Sequence, residues 1–264
     1  MTRTAMITGA GGGLAQATAR LLAEAGWSLA LVGRDTGSLA AVQHDLLDDA
    51  PSPDGPIRIV LVEADVSTGE GACHAVETAR ALLDQPLGGL VNCAGGVFLQ
   101  AGHQTTETQY RDVLRANLDT AFFSLGAFTD QLLKDKERGA AVLVSSVAAR
   151  VGVPRHEAMA AAKGGIEALV RSAAATYAPR GLRVNAVAPG LMPTPSTERF
   201  FGNAQMEKAL AEQYPLGRWG DVLDTARAIR WLLGEESAWI TGQVVPVDGG
   251  YTSLKGMPRV GARP

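Results

Sequence analysis

The first stretch whose residue types could do chemistry is Thr8-Gly-Ala-Gly-Gly-Gly-Leu-Ala15. Gly9, Gly11, Gly12 and Gly13 let a backbone turn sharply and approach a pyrophosphate with no Cβ in the way. The cluster follows an apolar run and precedes a helical period beginning at Leu14, which would bring free N–H groups and a positive dipole end to the phosphates. About 20 residues beyond such glycines, an acid would bind the ribose 2′-OH of NAD. The end of the second apolar run instead holds Gly33, followed by Arg34 and Asp35. An arginine there can pair a 2′-phosphate through two parallel hydrogen bonds. The pattern therefore favours NADP over NAD, with Asp35 leaving NAD open.

A cradle of this kind needs strands to carry it. Apolar runs read as strands over Thr4–Thr8, Ser28–Gly33, Ile57–Val62, Gly89–Asn92, Ala141–Ser145, Leu182–Val187 and Gln243–Val247. Helical periods lie between them, over Leu14–Ala25, Gly37–Asp48, Gly71–Leu83, Asn117–Leu133, Glu157–Tyr177 and Asp221–Leu233. Strand and helix alternating at this spacing imply βαβ units, whose crossovers are right-handed. The expected fold is α/β: one doubly wound domain over residues 1–264, with a seven-stranded parallel sheet and helices on both faces. Pro51–Pro56 reads as a turn joining helix to strand. Ser196–Tyr214 is a long insertion, so residues 194–214 read as a lid or substrate loop. The tail Lys255–Pro264 reads as disordered or as reaching a partner subunit.

Composition narrows the function classes. With 46% hydrophobic and 19% charged residues among 264, a sizeable core is available and disorder is not expected. A net charge of −3 gives no basic footprint for nucleic acid. No apolar run reaches the roughly 18 residues of a membrane span. The two cysteines, Cys73 and Cys93, have neither disulfide-framework nor zinc-ligand spacing, so no metal is expected. Met1-Thr-Arg-Thr leads straight into a strand without a signal peptide, and the expected location is the cytoplasm.

From Thr4 to Ser253 the chain resembles the short-chain dehydrogenase/reductase family, with its Rossmann-type domain. Thr8–Ala15 is similar to that family's Thr-Gly-x-x-x-Gly-x-Gly, with Ala15 for the last glycine. Asp65-Val66 resembles the pair that contacts adenine, and Asn92-Cys-Ala-Gly95 resembles Asn-Asn-Ala-Gly, which brings Asn92, Ala94 and Gly95 to the cofactor. Arg183–Gly190, including Pro189, together with Thr194 resembles the segment that holds the nicotinamide, and Val247-Asp-Gly-Gly250 the closing strand. The resemblance implies catalytic roles for Asn117, which would hold a relay water, for Ser146, which would orient the substrate oxygen, and for Lys163, which would bind the cofactor ribose. It also implies a homodimer or homotetramer built on the helices over Asn117–Leu133 and Glu157–Tyr177, acting on a small-molecule substrate.

One position departs from the pattern. The family signature is Tyr-x-x-x-Lys, and thirteen residues after Ser146 the chain reads Met159-Ala-Ala-Ala-Lys163. In the family the tyrosine hydroxyl protonates the carbonyl oxygen as hydride arrives. Methionine has no proton to give. Residues 159 and 163 share one helix face. His156, three residues earlier, is the leading replacement, because imidazole transfers protons near neutral pH; Glu157 is a weaker one. The alternatives are hydride transfer without a protein acid, and NADP(H) binding without turnover by a sensor or partner subunit. Phe200, Phe201 and Met206 point to an apolar portion of the substrate.

Overall fold

The computed structural model describes residues 3–49 and 57–255. Seven strands form one sheet: β1 (Thr4–Thr8), β2 (Ser28–Gly33), β3 (Ile59–Glu63), β4 (Gly89–Asn92), β5 (Gly139–Val144), β6 (Leu182–Pro189) and β7 (Val244–Val247). Their order is β3-β2-β1-β4-β5-β6-β7, and every pairing is parallel. The chain starts mid-sheet at β1, winds outward to β3, then returns to β4 on the other flank. The winding direction thus reverses between β1 and β4, whose ends meet at the pair Thr8 and Asn92.

Strand side chains alternate between faces, and each face is buried under helices. On β1, Met6 joins a core with α3 (Gly69–Leu83), α5 (Thr120–Asp135) and α6 (Glu157–Tyr177). Its neighbours Ala5 and Ile7 join the opposite core with α1 (Gly13–Glu24), α2 (Thr36–Asp49) and α8 (Val222–Leu233). Among the described residues no helix is long and apolar enough to cross a membrane.

Two segments differ from the sequence expectation. The helix expected over Asn117–Leu133 starts earlier, as α4 (Glu107–Leu114), and passes through a π-turn at Arg115–Asp119 into α5. Thr106 and Gln109 form a capping box at its start. Only Val113 of α4 is buried, so the helix has little apolar period to read. On α5, Leu125 and Leu132 are buried, whereas Phe122 is 56% exposed. The insertion Ser196–Tyr214 contains α7 (Ala204–Glu212), capped by Asn203. No residue of α7 is buried, hence its weak signal. The expected turn at Pro51–Pro56 and the tail beyond Lys255 lie outside the described residues.

Candidate functional site

The carboxyl ends of the central strands open into a cleft of ≈ 380 Å³. It lies beside the β1–β4 reversal, where doubly wound sheets bind their ligands. Gly12, Gly13, Leu14, Gly95, Pro189 and Thr194 line it, together with Asn117, Ser146, His156, Met159 and Lys163. Gly12 caps α1 without a side-chain hydrogen bond, and the first turn carries no acid. The helix therefore offers bare N–H donors and a positive end to an anion.

Gly9, Gly11, Arg34, Asp65, Val66, Asn92 and Ala94 do not line the cleft. Gly9 has φ +64°, and a Cβ there would sit 2.7 Å from Ala94 Cα, so this pair lets the β1 and β4 ends touch. Thr8 Oγ donates to Asn92 Oδ1 (2.7 Å), a second stitch between those ends. Val66 is buried in the core. Arg34 and Asp65 are exposed at neighbouring strand ends. Hydrogen bonds from Ser67 hold the Asp65 carboxyl below its usual range, helped by the positive charges of Arg34 and Arg115. Asp35 Oδ1 accepts from Gly37 N (2.9 Å), so this carboxylate is engaged at the start of α2.

The π-turn brings Asn117 into the cleft. Its Nδ2 donates to Val113 O (3.1 Å) and faces Met159 Sδ at 3.9 Å, while Oδ1 accepts from Gly96 N (3.3 Å). A Cβ on Gly95 would lie 2.7 Å from that oxygen, so a side chain there would displace the Asn117 amide. Lys163, one turn after Met159, donates from Nζ to Val144 O (2.9 Å). Burial pushes its amine down to about 8 and pushes the neighbouring Cys93 thiol up to about 12. Ser146 Oγ accepts from Ala148 N (3.2 Å), which leaves its own proton free to donate.

His156 stands at the start of α6, and its ring makes no cap hydrogen bond. Nδ1 lies 2.8 Å from Pro154 O; a carbonyl only accepts, so Nδ1 carries the proton and Nε2 of the neutral ring has the free lone pair. The preceding Arg155 is left-handed (φ +64°), and its carbonyl accepts from Gln100 N (3.0 Å).

Several functional side chains escape sequence reasoning. Glu167, one turn past Lys163, accepts from Ser145 Oγ (3.1 Å) and Arg150 Nε (3.0 Å), and Arg150 Nη2 reaches Val244 O (3.1 Å). This network braces the turn bearing Ser146 against α6. The helical spacing of Glu167 from Lys163 was the available signal; nothing in the sequence marks its partners. Tyr214 and Tyr251 also line the cleft, with ring centroids 5.2 Å apart. Tyr214 Oη accepts from Leu191 N (2.8 Å), and burial raises its pKa. On the loop, Phe200 lines the cleft, but Phe201 packs on Trp219 (5.4 Å) and Met206 is 49% exposed. Arg183 is no part of the cleft either: it donates to Leu232 O (2.8 Å), Leu233 O (3.2 Å) and Gly234 O (2.9 Å), closing the C-terminal end of α8.

Comparison with known proteins agrees over nearly the whole length. A family model described as enoyl-(acyl carrier protein) reductase matches residues 9–252. The chain is 32% identical over 248 residues to (3R)-3-hydroxyacyl-CoA dehydrogenase of Mus musculus, covering 93% of this chain and 95% of that protein. It is 35% identical over 197 residues to a Xanthobacter autotrophicus protein named inactive 2-(S)-hydroxypropyl-CoM dehydrogenase 2, covering 73% and 85%. The crystal structure of levodione reductase is similar with a TM-score of 0.89 at 27% identity, covering 97% of this chain and all of that one.

Proposed function

The chain belongs to the short-chain dehydrogenase/reductase family, and from that premise we propose that it is an atypical NADP(H)-dependent oxidoreductase without the tyrosine acid. The observation that carries this reading is Met159 in the cleft one turn from Lys163, with Asn117 and Ser146 in place around it. The reaction is hydride transfer to or from a carbonyl, hydroxyl or imine carbon.

The residues present fit a nicotinamide dinucleotide. Gly12, Gly13 and Leu14 would hold the pyrophosphate at the uncapped start of α1. Asp65 and Val66 would meet the adenine, and Arg34 a 2′-phosphate. The engagement of Asp35 by Gly37 supports NADP over NAD. Gly95, Pro189, Thr194 and Lys163 would hold the nicotinamide end. Such a cofactor, when bound, supplies or takes the hydride. Ser146 Oγ–H then hydrogen-bonds the substrate oxygen. In oxidation the neutral His156 Nε2 accepts the hydroxyl proton, and in reduction the imidazolium, protonated at both nitrogens, gives it back from Nε2–H; water on Lys163 would serve instead at a rate reduced by about 10²–10⁴. Exposed Phe122 and Leu133 on α5 support assembly as a homodimer or homotetramer.

A second reading, a non-catalytic NADP(H)-binding sensor or partner subunit, is favoured by one contact. Asn117 Nδ2 faces the Met159 sulfur, an acceptor that cannot pass a proton on. NADPH consumption with a carbonyl panel, measured beside NADPH binding, separates the two. Turnover lost in His156→Ala assigns the proton to His156. Tight NADPH binding with no turnover, in both the wild type and Met159→Tyr, rejects the oxidoreductase reading.

A further inference from the structure

Tyr214 and the charge of the cleft carry the argument one step beyond the reaction class. None of the residues lining the cleft is Asp, Glu or Arg, and Lys163 is engaged by the Val144 carbonyl. With the start of α1 given to the cofactor's pyrophosphate and Lys163 to its ribose, His156 is the one lining side chain left that could face a carboxylate or phosphate as a cation, and burying an unpaired charge is costly. The space is also small: ≈ 380 Å³, at the lower end for ligand sites, and the nicotinamide shares it.

Besides Ser146, which the reaction uses, the Tyr214 hydroxyl keeps a proton to donate beside this apolar space. Tyr214 is 6% exposed. Its oxygen accepts from Leu191 N (2.8 Å), which fixes it, and among the described residues no acceptor is paired with its proton. The ring is held from both sides: Tyr251 stacks on it at 5.2 Å, and a Cβ on Gly190 would come within 2.9 Å of its Cε1. A rigid donor of this kind favours a ligand that brings an acceptor and rejects an isostere without one, which would strip the hydroxyl of water and offer nothing in return.

We propose that Tyr214 selects the substrate of this site, a small uncharged ketone or its alcohol that carries a second oxygen, to which the Tyr214 hydroxyl donates. The proposal rests on the oxidoreductase reading above. Tyr214 acts here as a specificity residue, with the reacting oxygen left to Ser146.

The test is calorimetric binding to protein saturated with NADP⁺, so it does not depend on turnover. The probes are two isosteric pairs, 4-methoxy-2-butanone against 2-hexanone and 5-methoxy-2-pentanone against 2-heptanone, and one charge pair, methyl 4-oxopentanoate against the 4-oxopentanoate anion. In the wild type, at least one ether ketone is expected to bind about tenfold more tightly than its alkanone, as one net hydrogen bond provides. The ester is expected to bind more tightly than the anion. Tyr214→Phe should erase the ether preference without weakening alkanone binding, whereas a general loosening of the cleft would weaken every probe. Equal binding within both ether pairs, no binding of any probe, preference for the anion, or an ether preference that persists in Tyr214→Phe would each overturn the proposal. The wild-type comparison stands even if the variant fails to fold. Preference without NADPH consumption would sink the oxidoreductase reading and leave the assignment of Tyr214 intact.

Discussion

Successive turns along one face of α6 make opposite use of the polar groups beside them. At the Glu167 turn, toward β5 and β7, Ser145, Glu167 and Arg150 are joined to one another and to the Val244 carbonyl. On the cleft side, Ser146 keeps a proton to donate, Met159 replaces a polar group by a thioether, and Lys163 has a single carbonyl partner. The braced side positions and the open side receives. The same distinction sorts the sequence motifs: Arg183 is consumed by the end of α8, whereas Asn92 gives its side-chain oxygen to Thr8 and keeps a buried amide nitrogen without a hydrogen-bond partner among the described residues.

The sharpest way to break this comparison is to restore the missing group. Met159→Tyr is expected to raise carbonyl reduction by about 10²–10⁴, read as NADPH consumption. A tyrosine at this buried position also brings an overpacking cost of about 1–3 kcal/mol, so NADPH affinity and folding are measured alongside. On the braced side, Glu167→Ala removes the carboxylate shared by Ser145 and Arg150, leaving them the carbonyls of Lys163 and Val244. The expected loss is about 1.5–3 kcal/mol in denaturant unfolding, with Glu167→Gln losing less. At the far end of the cofactor path, Arg34→Ala should weaken NADPH about tenfold while leaving NADH unchanged in calorimetric titration. An unchanged ratio makes Arg34 a bystander.

The smallest effect sharpens the picture of Lys163. Its folded-state value of about 8 lies below the ordinary 10.5, so between these values the unfolded chain holds the extra proton. Stability should therefore rise with pH across that window, by at most about 1.4 kcal/mol per unit. Below about pH 8 the buried cation is a burden on the fold. Lys163→Met should flatten this rise in unfolding measured from pH 7.5 to 10.

The sheet was legible because both its faces are covered and its strands alternate with helices in a regular rhythm. Thr4–Thr8, Ser28–Gly33 and Gly89–Asn92 fall where the apolar runs place them. The start of α4 was not legible, since a mostly exposed helix has little apolar period. Within the site, the uncapped glycine turn and the Met159–Lys163 spacing could be read from the chain alone. Tyr214 could not: it reaches the cleft only because the insertion folds back over Gly190, a contact distant in sequence and without a motif. The sequence left Asp35 open between a ribose and a surface role; in the structure one of its carboxylate oxygens accepts from Gly37 N at the start of α2.

The π-turn at Arg115–Asp119 has a consequence for insertions and deletions. It holds one residue more than regular helical winding needs, and Thr120 Oγ donates to the carbonyls of Ala116 (3.1 Å) and Asn117 (3.1 Å) there. Each residue of a regular helix turns the chain by roughly 100°. Deleting one residue within the turn would let α4 run into α5 as ordinary helix, with the buried stripe of α5 still facing the sheet. The amide of Asn117 would then swing away from Gly96 and Met159. Length variation at this point would read as a silent frame change to the core and as a lost group to the cleft.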